Sequence, residues 1–108
     1  VSSQIPILAE YNNVKYKASL NGKITGATKE EVFTGLNAHG TTAQADPKYK
    51  FDKFTADKDV KLKDGTLIQK GNKITKSQLK EVVITEDTVF TAQFVYDGGQ
   101  IKINKTFK

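Results

Sequence analysis

Two segments constrain the fold more than any others: Pro47-Lys48-Tyr49-Lys50-Phe51-Asp52-Lys53-Phe54, and the later Thr85-Glu86-Asp87-Thr88-Val89-Phe90-Thr91-Ala92-Gln93-Phe94. Phe90, Ala92 and Phe94 alternate with Thr91 and Gln93. Successive strand side chains point to opposite faces, so this pattern predicts a strand with one apolar and one polar face. Tyr49 and Phe51 alternate in the same way. Phe54 breaks their period and is expected beyond a β-bulge or at the strand's end. Pro47 cannot donate to a strand ladder, and Glu86-Asp87 is turn chemistry, so each strand is led in by a turn. The aromatic residues of both strands are therefore expected in the core.

The remaining chain reads as short elements separated by turns. Val1 to Asn13 is irregular and reads as a connector or a short docked strand, with the connector favoured. The domain proper is expected over residues 14–108. Val14, Tyr16, Ala18 and Leu20 alternate with Lys15, Lys17 and Ser19, predicting an amphipathic strand closed by Asn21-Gly22, a pair that favours positive φ. After Ile24-Thr25-Gly26 begins a return, Thr28-Lys29-Glu30-Glu31 has the capping-box spacing, which predicts a short helix ending at Gly35. Thr41 to Ala45 is a weak strand. Asp64-Gly65 between Val60-Lys61-Leu62 and Thr66-Leu67-Ile68 predicts a hairpin, and Gly71-Asn72 a further turn. Thr75 as cap, Gln78 three residues on, and Ile74 against Leu79 as a hydrophobic staple predict a second helix ending near Glu81 or Val82. Val82 to Ile84 and Thr88 to Tyr96 are strands. Asp97-Gly98-Gly99 then turns into Ile101, Ile103 and Phe107 as a final hairpin. Many short strands with minimal helices specify an α+β, mainly β domain around a mixed or antiparallel sheet.

Composition narrows the function classes. The chain's 108 residues fit one domain, and cysteine, methionine and tryptophan are all absent, which removes thiolate ligation and disulfides. All seventeen basic residues are lysine, for a net charge of +5. Specific nucleic-acid readers favour arginine, whose planar fork makes bidentate contacts, so a specific nucleic-acid partner is not expected. Lys15, Lys17, Lys48, Lys50, Lys53, Lys61, Lys63, Lys102 and Lys105 mostly alternate with apolar residues and read as solvent faces and edge protection. The chain has no apolar run near ~18 residues, so membrane insertion is not expected. It begins at Val1, without a charged-then-apolar leader, and reads as a domain excised from a longer chain.

Candidate chemistry is sparse. His39, the single histidine, has no serine or carboxylate at triad spacing and reads as a surface-loop residue. Asp57-Lys58-Asp59 and Asp64-Gly65 superficially suggest a calcium loop. Lys61 stands where a ligand is needed and Ile68 where the bidentate acid belongs, which excludes an EF-hand. No metal or cofactor is expected. Asn104-Lys105-Thr106 fits the glycosylation acceptor pattern, a tripeptide common by chance. No lysine sits on an evidently apolar strand face, as an intramolecular Lys–Asn isopeptide bond would require.

The succession Pro-x-Tyr-x-Phe-x-x-Phe, Asp-Gly, Gly-x-x-Ile-Thr-x-x-Gln-Leu and Thr-Glu-Asp-Thr-x-Phe-x-Ala-x-Phe, over Val14 to Phe94, resembles repeat modules of Gram-positive cell-wall-anchored surface proteins. These are the internalin-B-type repeats and their divergent relatives, or the ubiquitin-like modules of mucus-binding repeats. The sequence departs from them at Phe54, where tryptophan is usual, and at Lys48, where glycine is usual. The resemblance implies a small β-grasp-like domain and a non-catalytic role in a secreted, wall-attached adhesin. The implied partners are a host glycoprotein, mucin or matrix protein, and neighbouring repeats of the same chain. A structural spacer, or an accessory module of a larger secreted enzyme, is the alternative. The isolated domain is expected to be monomeric. Exposed aromatics suited to glycan contact reduce to Tyr11 and Tyr96.

Overall fold

The computed structural model describes residues 10–97. Nine strands and one helical turn are present among them: β1 (Tyr11–Ala18), β2 (Gly22–Ile24), β3 (Lys29–Phe33), β4 (Ala43–Ala45), β5 (Tyr49–Ala56), β6 (Val60–Leu62), β7 (Leu67–Ile68), α1 (Lys76–Leu79), β8 (Val82–Val83) and β9 (Thr88–Tyr96). The mainly β reading holds, with mixed strand directions. A four-stranded sheet has the order β3-β1-β9-β5; β2 and β4 form a ribbon, and β7-β6-β8 a small third sheet. In the large sheet β1 and β9 run parallel, while β3 and β5 are antiparallel to their neighbours.

The alternation in β9 is realised as expected. Thr88, Phe90 and Ala92 are buried. On β1, Asn12, Val14 and Tyr16 face the same core, and Asn12, a buried polar group, donates its amide to Thr34 Oγ1 at 2.8 Å. The other layer consists of Val60, Leu62, Ile68, Val82 and Ile84 from the small sheet and its margin, with Ile74 just before α1 and Leu79 at its end. The expected bulge is also present. The β5–β9 register shifts between Phe51 and Lys53, leaving Asp52 as the extra residue and returning Phe51 and Phe54 to one face with ring centroids 5.0 Å apart.

The Pro47 turn is closed by Tyr49 N–H donating to the Asp46 carbonyl at 3.0 Å, and Lys48 holds φ 73. This is the third position of a type II turn, where glycine is ordinarily found. The Asp64-Gly65 hairpin pairs Val60 with Ile68 and Lys61 with Leu67. Thr66 N–H donates to Asp64 Oδ1 at 2.9 Å, and that bond holds the Asp64 carboxyl below its usual value. The capping box at α1 is complete: Gln78 N–H donates to Thr75 Oγ1, and Thr75 N–H to Gln78 Oε1. The helix stops at Leu79, short of the expected end near Glu81 or Val82, with Lys80 as its C-cap.

Several expectations are corrected. The Thr28–Gly35 segment is not a helix but strand β3 and its turn. Its residues pair with β1 from Tyr11↔Phe33 to Lys15↔Lys29, and the Thr28 carbonyl accepts from Tyr16 N–H instead of starting a helix. Pairing buries Val32 and supplies a ladder of backbone hydrogen bonds, whereas a single helical turn fixes several residues for few bonds. Leu20 is 83% exposed because the chain has already turned away from β1. β2 does not return along β1; it pairs with β4. Asn21 carries the positive φ of that turn, whereas Gly22 serves close approach: a Cβ there would lie 2.2 Å from the Phe94 ring. β1 begins at Tyr11, so Tyr11 to Asn13 belong to the sheet rather than to a connector. Tyr49, Phe51 and Phe94 are only partly buried, since the core face continues past the elements that cover it. The expected C-terminal hairpin and residues 1–9 lie outside the described residues.

Candidate functional site

Tyr11 and Tyr96 are both exposed, at 57% and 61%, and the fold keeps them apart. β1 and β9 are in parallel register with Val14 opposite Thr88, so Tyr11 lies at the leading end of the sheet and Tyr96 at the trailing end. Each has its own partner. Tyr11 stacks on Phe33 at 4.4 Å between centroids, and Tyr96 meets Tyr49 edge to face at 5.6 Å. The two do not form one site.

A hollow of about 420 Å³ lies on the outer side of the small sheet. Strand pairing places Leu67, Lys61 and Val83 in one row across β7, β6 and β8, because Lys61 is opposite both neighbours. Lys63, the residue after β6, lines the same hollow. Lys58 and Glu86 form a wall, their charged groups 3.7 Å apart, and Lys58 Nζ also donates to the Asp87 carbonyl. The result is a short apolar strip with lysine at its centre and margin.

His39 does have a carboxylate partner, which sequence spacing concealed. Glu30 accepts from His39 N–H at 3.0 Å and lies 2.9 Å from His39 Nδ1, which must carry the donated proton because a carboxylate only accepts. Tyr16 also donates its hydroxyl to Glu30, and that hydroxyl accepts from Gly40 N–H at 3.2 Å. Burial, reinforced by the hydrogen bond to Glu30 and its charge, pushes the Tyr16 phenol well above its usual value. The cluster ties the loop after β3 to the core. Glu30 was missed because its segment carries the spacing of a helix start, and only the β1–β3 pairing turns it toward Tyr16.

Among the described residues no His, Cys, Asp or Glu side chains gather in a group of three that could hold a metal ion, and no helix is long and apolar enough to cross a membrane. Of the lysines expected to face solvent, Lys15, Lys17, Lys48, Lys50, Lys61 and Lys63 are exposed, Lys53, beside the bulge, is partly buried, and Lys102 and Lys105 lie outside the described residues. The fold and surface together define a mainly β module with a sealed core and a lysine-studded exterior. No family model matches the chain, and no curated protein or solved structure is significantly similar to it.

Proposed function

We propose that this chain is a non-catalytic, β-grasp-like module of a secreted, wall-attached surface protein, and that it works as a load-bearing spacer. The β-grasp reading is supported by the order β3-β1-β9-β5, in which the first and last strands lie side by side and parallel at the sheet's centre. It departs from that plan in covering the sheet with β6 to β8 and a single helical turn instead of a long helix.

The observation that carries the spacer reading is the parallel pairing from Val14↔Thr88 to Ala18↔Ala92. Tension applied to the start of β1 and the end of β9 pulls the two strands past each other. All the interstrand hydrogen bonds then bear load together, whereas an antiparallel hairpin opened from its free end loses them one at a time. Single-molecule stretching of the chain through its two ends tests this. A markedly higher unfolding force is expected than when the same protein is pulled across β1 and β3 through cysteines placed at Lys17 and Lys29. Equal forces in the two directions would sink the spacer reading.

Adhesion to a host glycoprotein is the second reading, favoured by the strip of Leu67, Lys61 and Val83. It predicts binding to mucin or matrix glycoproteins that Lys61→Glu abolishes. Binding that Lys61→Glu leaves untouched would remove this groove as its site.

A further inference from the structure

Strand pairing sorts the side chains of the large sheet onto two faces, and the face turned away from the core collects lysine. Lys15 and Lys17 alternate with buried Val14 and Tyr16 on β1, and Lys53 precedes buried Phe54 on β5, so all three turn outward. Lys29 of β3 is directly opposite Lys15 and shares its face. Between them run Thr91, opposite both Lys17 and Thr55, and Gln93, opposite Lys53. Gln93 Nε2 donates to Thr55 Oγ1 at 3.3 Å, which leaves the Thr55 hydroxyl proton to donate elsewhere. From Lys29 to Lys53 the band crosses three strand spacings and four residues of rise, about 20 Å at ~4.8 Å and ~3.3 Å each.

The band is short of counter-charges. Among the described residues Lys15, Lys17, Lys29 and Lys53 have no carboxylate within ion-pair reach. Lys15 and Lys29 are like charges in directly opposite positions, an arrangement that destabilises a sheet. The acids Glu31, Asp57 and Asp87 stand at the leading margin of the face, where Asp57 accepts from Val89 N–H and Asp87 from Asn13 N–H. Asp52, the bulge residue, stands beside Lys53 and is partly buried. Among the described residues no aromatic side chain lies on this face between Lys29 and Lys53.

We infer that this face docks an acidic polysaccharide, a linear polymer bearing sulfate groups and ring hydroxyls. Charge complementarity selects an anion, and an anion seated between Lys15 and Lys29 replaces their repulsion with a shared attraction. The length of the band selects an extended polymer over a small ion. Thr91, Thr55 and Gln93 offer hydroxyl and amide groups to ring hydroxyls. A nucleic-acid strand calls instead for aromatic platforms or arginine, and the band has neither. This surface is separate from the Lys61 strip on the small sheet. It also goes beyond the spacer reading, which concerns the β1–β9 pairing and not the outward side chains, so stretching and binding measurements fail independently of one another.

Isothermal titration calorimetry of the whole chain with a size-defined heparin oligosaccharide tests it. Binding is expected to weaken steeply as salt rises, because each engaged lysine releases counterions. Lys15→Gln combined with Lys17→Gln is expected to weaken it by roughly tenfold or more and to flatten the salt dependence. Lys23→Gln combined with Lys80→Gln removes the same charge from exposed positions on β2 and at the C-cap of α1, and is expected to change affinity by less than about twofold. Both double variants should melt close to the unmodified protein, as expected for exposed positions. A single-stranded oligothymidylate of equal charge is expected to bind more weakly than heparin. No heparin binding, equal losses in the two double variants, or oligothymidylate binding as tightly as heparin would each overturn the proposal.

Discussion

Lys48 and Gly22 show how single residues meet backbone demands that their neighbours impose. Lys48 holds φ 73, a left-handed conformation costing a side-chain-bearing residue about 1–2 kcal/mol, partly offset by the greater chain entropy glycine would lose. Lys48→Gly is therefore expected to raise unfolding stability by about 0.5–1 kcal/mol, measurable by urea titration. Gly22→Ala is expected to do the opposite, by about 1–3 kcal/mol, because the added methyl must displace the Phe94 ring. Tyr16 supplies a pH signature. Its neutral form is favoured by folding, so the folded value lies above the ordinary 10.0. Its contribution is complete below that value and is lost as pH rises through and beyond it. Stability should fall at strongly alkaline pH, and Tyr16→Phe should flatten that part of the profile. A Tyr16→Phe protein with the same alkaline slope would assign it to other groups.

At the scale of the element, α1 and β3 carry the same start signal and take different paths. Thr75 and Gln78 make the reciprocal bonds that their spacing announces, and Ile74 before the turn and Leu79 at its end are both buried. Thr75→Ala is expected to cost about 0.5–2 kcal/mol through loss of that cap, read from the denaturation midpoint. Thr28 and Glu31 have the same separation, but β1 presents an open edge to which Lys29–Phe33 pairs. Helix propensity differences of a few tenths of a kcal/mol per residue do not outweigh a five-residue ladder that buries Val32. The hairpin of β6 and β7, the bulge in β5 and the alternation of β9 were all legible, because each is encoded by residues within a few positions of one another.

At the scale of the molecule, the core of the described residues is a seam between the large sheet and the small one. Phe90 lies at its centre, fully buried, with the Tyr16 ring 5.7 Å away and Ala56 opposite it on β5. Phe90→Ala should remove about 3–5 kcal/mol, enough to unfold a marginal domain, as thermal melting would register. The apolar faces, the turn residues, the lysine exterior and the capped helix were all readable from the chain, since period and local chemistry need no knowledge of distant partners. The parallel neighbours β1 and β9, the pairing of β2 with β4, the Tyr16–Glu30–His39 tie and the opposite placement of Tyr11 and Tyr96 were not. Each joins segments far apart in sequence, and their pairing depends on which arrangement buries most apolar surface while satisfying the backbone. Local residue order does not contain that global comparison. Side-chain periodicity therefore determined which faces turn inward, and packing of the folded chain alone decided which strands lie together and where the aromatic ends emerge.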